Sequence, residues 1–197
     1  MLVKKPILAG IMSLAAIGAC SAQKPVEVIS ETGLTGVVHK EAVYYGGMNL
    51  GIPTEKNYTD VFAGMTINSD KKASFLALAM NNYNWTKNIS SWIREVFSAS
   101  KRGANSTLEV SPLRANVNAG NFSMSLNPAY TLYNDFKSGT TTQGINTIFQ
   151  TTYSITPNDK IFAEAKYTSE PSKNLFDTHF GKLKDNISYM LSYMRNF

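Results

Sequence analysis

The chain has 197 residues, of which 43% are hydrophobic and 17% charged, with a formal net charge of +5. That size and mix belong to one globular domain and exclude a disordered or low-complexity chain. The basic pairs Lys71-Lys72 and Lys101-Arg102 are isolated, so no basic block points to a nucleic-acid partner.

The N-terminus reads as an export signal. Met1–Pro6 carries Lys4 and Lys5 and no acid, and Ile7–Ala19 is apolar or small throughout. The run is shorter than the roughly 20 residues a membrane-spanning helix needs, and no later run approaches that length, so a permanent transmembrane anchor is not expected. Ile17-Gly18-Ala19-Cys20 resembles a bacterial lipobox, which implies cleavage before Cys20 and acylation of that residue. Cys20 is the one cysteine in the chain, so no disulfide competes for it. Ser21, where Asp would signal inner-membrane retention, resembles the sorting pattern for the outer membrane. The alternative is an ordinary secretory signal with an incidental cysteine. The expected organisation is a signal peptide over 1–19, a lipidated tether over 20–33, and a single periplasmic domain over 34–197.

Within that domain, LTGVVHKEAVYY over 34–45 has strand composition, and GGMNLGIPTEKNYTD after it reads as a Gly/Asn/Thr-rich loop. Val61–Met65 and Ala73–Met80 are short apolar runs compatible with a hairpin, although a buried helix start for the second stays open. Over 87–102, Ile89, Trp92, Ile93, Val96 and Phe97 recur at helical spacing, and Gly103 suits a helix C-terminus. From 106 the period changes to two. Phe122, Met124, Leu126, Tyr130 and Leu132 alternate with Ser123, Ser125, Asn127, Ala129 and Thr131, which predicts one buried and one wetter face. Pro128 suggests an edge or bulge there. Ala119-Gly120-Asn121 predicts a hairpin turn, and KSGTTTQG over 137–144 a polar loop. Strands are expected around Ile145–Ile155 and Ile161–Tyr167, joined by a turn at Thr156-Pro157-Asn158-Asp159. A C-terminal helix is expected after Ser172, with Phe176, Phe180, Leu183, Ile187, Met190 and Met194 on one face. The predicted fold class is therefore α+β, an antiparallel sheet of about five or six strands packed against two helices.

Residues 110–129, VSPLRANVNAGNFSMSLNPA, resemble the corresponding hairpin of the YajG-like lipoproteins, small lipoproteins of Gram-negative bacteria. The matching positions are Val110-Ser111, Leu113, Ala115, Val117 and Gly120-Asn121, and the match is specific over these 20 residues and architectural elsewhere. The resemblance implies a fold and a location. It carries over no catalytic residues.

No catalytic constellation is legible. His39 and His179 have no HxxxH or HExxH neighbour, and no GxSxG or phosphate-binding glycine loop occurs. No cofactor and no metal are expected. By default the 46–60 loop with Tyr44, Tyr45 and Tyr58 is the candidate interaction surface, since long loops carry binding more often than packed elements. The expected function is an outer-membrane-anchored lipoprotein with a non-enzymatic periplasmic domain that binds an envelope protein, glycan or lipid. The alternatives are an envelope hydrolase acting on peptidoglycan or lipid, or an accessory lipoprotein of a secretion or surface assembly.

Overall fold

The structure is a computed structural model and describes residues 25–37, 42–68, 72–101, 103–168 and 187–197. These form ten strands: β1 Glu27–Val37, β2 Val43–Pro53, β3 Asn57–Ile67, β4 Ala73–Asn84, β5 Ile89–Ser100, β6 Gly103–Ala119, β7 Phe122–Asp135, β8 Thr140–Ser154, β9 Asp159–Thr168 and β10 Ile187–Asn196. Each pairs antiparallel with its chain neighbours, and β1 pairs with β10, so the sheet closes into a barrel. Closure leaves no unpaired edge.

Local chemistry explains the connections at one end. Residues 54–56, 85–88, 120–121 and 155–158 make tight turns, and three of them are set by a threonine. Thr54 Oγ1 accepts the Asn57 N–H at 2.9 Å, Thr86 Oγ1 the Ile89 N–H at 3.1 Å, and Thr156 Oγ1 the Asp159 N–H at 3.0 Å. The fourth turn uses Gly120 at φ +58°, a conformation that favours glycine. Ala119 then faces Phe122 directly. The longest connection, 169–186, joins β9 to β10 at the opposite end.

The α+β expectation is overturned: no helix occurs among the described residues. Residues 89–100, expected as a helix, are β5. Of the expected C-terminal helix, 187–196 is β10, while 172–186 lies outside the described residues. The segment expected as a loop over 46–60 is largely the paired strands β2 and β3. The tether segment contributes the first residues of β1.

The helical reading of β5 failed for a physical reason. Both of its faces carry apolar residues: Trp92 and Val96 point inward, while Ile89, Ile93 and Phe97 point outward. Interleaving two half-apolar faces puts hydrophobic residues at i, i+3, i+4, i+7 and i+8, which imitates an amphipathic helix.

The strands expected over 106–167 are present, but with the opposite sense of burial. On β7, Ser125, Asn127, Ala129, Thr131 and Tyr133 point inward and are buried, whereas Phe122, Leu126 and Tyr130 point outward and are exposed. On β8, Asn146, Ile148 and Gln150 point inward, and Ile145, Phe149 and Tyr153 outward. The same polarity holds for Met48, Leu50, Met65, Ile93 and Leu191, all outward and exposed. Pro128 sits on the outer face, paired with Thr147 of β8 and opposite the register shift that β6 makes between Val110 and Ala115, as the expected bulge requires.

Outward aromatic residues gather toward both ends. Tyr83, Trp85, Phe122, Tyr153 and Tyr193 lie toward the tight-turn end, where Phe122 pairs with Tyr153 and the Tyr83 and Trp85 rings meet edge to face at 4.9 Å. Tyr44, Phe75, Phe97, Tyr130, Tyr167 and Tyr189 lie toward the other end. Between these two groups the outer wall is predominantly aliphatic.

Candidate functional site

The middle of the lumen holds the densest chemistry in the molecule. Arg94 on β5 reaches two carboxylates. Its Nε and Nη2 donate to Glu109 Oε2 on β6 at 2.8 and 2.5 Å. Its Nη1 and Nη2 donate to Glu164 on β9, at 3.2 Å to Oε2 and 3.5 Å to Oε1. Lys166 Nζ, also on β9, donates to Glu109 Oε1 at 2.9 Å. Each of these four side chains is less than a tenth exposed. Two cations thus neutralise two anions in one buried layer that bridges β5 and β6 to β9.

Neutral side chains complete the layer. Asn146 Nδ2 donates to Glu109 Oε1 at 3.2 Å and to Thr131 Oγ1 at 2.6 Å. Gln150 Nε2 donates to Glu164 Oε2 at 2.7 Å, and Gln150 Oε1 accepts from Ser125 at 3.2 Å. Trp92 Nε1 donates to Asn127 Oδ1 at 3.4 Å, and the Arg94 guanidinium lies 5.2 Å from the Trp92 ring centre. Charged groups survive burial when opposite charges and hydrogen bonds replace their hydration, and that condition is met here.

The other half of the lumen is apolar. Tyr45, Phe62, Leu76 and Val96 form a buried cluster on the inner faces of β2–β5, with Leu78 and Met190 packed against it. Glycine makes this possible: a Cβ on Gly47 or Gly64 would approach the Phe62 ring to 2.7 or 2.6 Å. The charged layer and this cluster fill the mid-lumen side by side.

Toward the tight-turn end the lumen wall is acidic. Glu27, Glu31 and Asp60 point inward, with Tyr58 donating to Glu27 at 2.8 Å and Tyr45 to Glu31 at 2.8 Å. Lys160, inward on β9, is near enough to Asp60 to interact with it electrostatically. At the rim, Asp159 accepts from the Tyr193 hydroxyl and from Thr156 Oγ1 at 2.7 Å. These bonds, the Tyr193 one foremost, hold its carboxyl below the usual range.

The tyrosines singled out in the sequence do not form one surface. Tyr44 points outward, while Tyr45 and Tyr58 point inward as partners of carboxylates. Cys20, His39 and His179 lie outside the described residues. Among the described residues, no group of three His, Cys, Asp or Glu side chains is placed to hold a metal ion. Arg94, Glu109, Glu164 and Lys166 were missed. Their signal was charge at the polar parity of alternating strands, as in Glu164 and Lys166 interleaved with Ala163, Ala165 and Tyr167.

No family model and no curated protein matches the chain. Among solved structures it is similar to the translocator domain of the autotransporter NalP from Neisseria meningitidis. The TM-score is 0.50 at 10% identity, covering 97% of this chain and 95% of that one. It is also similar to the NanC porin, with TM-score 0.48 and 12% identity over 86% of this chain and 100% of that one. A loop-deletion variant of OmpT, an outer membrane protein of Vibrio cholerae, matches with TM-score 0.39 and 9% identity over 86% of this chain. This chain spans only 59% of that protein's length. At such identities the likeness is one of fold, a closed antiparallel barrel.

Proposed function

We propose that the chain is an integral outer-membrane β-barrel, embedded by its own strands and closed at mid-height. The observation that carries this reading is the inverted polarity of the wall, with apolar side chains outward, polar and charged side chains inward, and aromatic residues toward both ends. In water that arrangement would expose an apolar belt, broken on β5 by the outward Glu95. In a bilayer it is the favourable one, because the closed ladder satisfies every strand's backbone groups and the belt meets lipid. The strands run from 10 to 17 residues, enough to cross at a tilt, where about 9–11 suffice. The export signal expected over 1–19 would deliver such a chain across the inner membrane. The tight-turn end then faces the periplasm, and the end with the 169–186 connection faces outward.

This replaces the expectation of a soluble periplasmic domain held only by a lipid. Acylation of Cys20 would add a second attachment to a chain already embedded. The two contributions separate in one experiment. Cys20→Ser should lose labelling by a fatty-acid analogue, yet the protein should resist extraction from outer membranes by alkaline carbonate. Release into the wash would overturn the barrel reading.

The wall polarity predicts a second, independent result. Trp85 is 64% exposed on the outer face and Trp92 is 4% exposed in the lumen. In vesicles of brominated lipid, the Trp92→Phe variant, which keeps Trp85, should be strongly quenched, most by bromines near the headgroups. The Trp85→Phe variant should be quenched little. Equal quenching of the two would contradict the assignment of faces.

A further inference from the structure

We propose that the polar half of the lumen is a latent cation-selective path and that Arg94 keeps it shut. The proposal rests on the membrane-barrel reading and goes beyond it. The inner faces of β6–β9 are mainly hydrophilic on both sides of the charged layer, interrupted by the buried cluster that Ala129 and Ile148 form with Trp92. On the tight-turn side stand Arg114, Ser125 and Asn127, and on the other side Thr107, Thr131 and Thr168.

Several buried polar atoms along this column have no protein hydrogen-bond partner among the described residues. Arg114 Nε is one on the tight-turn side. Thr107 Oγ1, Thr168 Oγ1 and Asn146 Oδ1 are others at or beyond the layer on the far side. Buried polar atoms without a protein partner are ordinarily satisfied by water. Water at these atoms would place hydration on both sides of the layer, which with the buried Trp92, Ala129 and Ile148 separates the two regions.

Arg94 is the group that closes this layer. Among the described residues it is the one side chain hydrogen-bonded to both Glu109 and Glu164, so it ties β6 to β9 across the lumen. Lys166 is already held by Glu109 at 2.9 Å and has no hydrogen bond to Glu164. If the guanidinium is removed, Glu109 keeps Lys166, and Glu164 loses its hydrogen-bonded cation, with Arg114 left in electrostatic range. Glu109, Glu164 and Lys166 together then carry one excess negative charge, and the shorter side chain vacates room in the layer. The tight-turn side already presents Glu27, Glu31 and Asp60 against Lys160 and Arg114. Both features favour cations over anions along the opened path.

The test uses the full chain folded into planar bilayers, with insertion monitored separately by vesicle flotation and by the retarded or advanced gel mobility of the unheated barrel. The native protein should show no conductance steps. Arg94→Gln should show discrete steps, and in a KCl gradient the current should reverse at a potential of the sign set by K⁺. Because the single change leaves a buried charge, a balanced variant accompanies it. Arg94→Gln with Glu164→Gln preserves the Glu109–Lys166 pair and should also conduct, with weaker preference for K⁺. The proposal fails if both variants insert and neither conducts, if the native protein conducts as they do, or if Arg94→Gln selects chloride. Where Arg94→Gln does not insert, the balanced variant alone decides. A native chain that neither floats nor shows a folded band would instead refute the barrel reading.

Discussion

Glu109→Gln will lower the unfolding free energy of the barrel by about 3–5 kcal/mol, the cost of breaking a buried ion pair by removing one partner. Glu109 is 1% exposed and accepts from Arg94, Lys166 and Asn146 at once. The amide keeps the shape but removes the charge. Lys166 then loses its one ionic partner in the layer, and Arg94 must rely on Glu164 alone. Leaving Lys166 buried and unpaired is the larger part of the loss, because an ammonium so placed retains neither water nor counter-charge. Adding Lys166→Met to Glu109→Gln should therefore recover a substantial part of it, since replacing both partners of a buried pair is often close to neutral. Urea titrations of the detergent-folded barrel, followed by Trp92 fluorescence, measure both variants. A loss below about 1 kcal/mol for the single change would match an exposed pair and would mean that the layer is solvated, not buried.

The second large effect lies on the other side of the wall. Leu126→Arg should destabilise the folded, lipid-embedded barrel by about 2–4 kcal/mol, the range for a cation placed on the lipid face near mid-depth. Leu126 is 53% exposed, outward on β7 between the two aromatic groups, with Phe149 as its neighbour on β8. Were this face turned toward a protein core, Leu126→Phe would overpack it and cost about 1–3 kcal/mol. Facing lipid, the larger side chain meets no fixed neighbour, and its cost should be near zero. The pair of variants, measured by equilibrium unfolding in lipid vesicles, separates the two orientations. Tolerance of arginine together with rejection of phenylalanine would reverse the assigned faces.

The alternation on β7, β8 and β9 was legible, and so were the turns at Gly120-Asn121 and at Thr156–Asp159. Those features depend on neighbours in the chain: a period of two, a glycine at positive φ, and a threonine hydroxyl beside the N–H it accepts. The threonine turns at Thr54 and Thr86 carried the same local chemistry. Thr54 went unread because a Gly-rich run around it resembled one long loop, and Thr86 because the segment after it imitated a helix. The resemblance at 110–129 covered one hairpin, and a hairpin occurs in many architectures.

Which face of each strand meets protein, water or lipid is not a local property. An alternating strand defines an apolar and a polar side, and the ordinary expectation for a chain folding in water puts the apolar side in the core. Here the ring of ten strands closes, and the interior becomes the polar side. That choice depends on β1 meeting β10, whose residues lie more than 150 positions apart in the chain. The same closure brings Arg94 to Glu164, 70 residues away, and turns two isolated charges into a neutral layer. By itself the sequence determined that there are strands and where several of them turn. Only the closed tertiary structure decided which side faces outward and which charges meet, because both are set by long-range pairing energy, which no window of neighbouring residues contains.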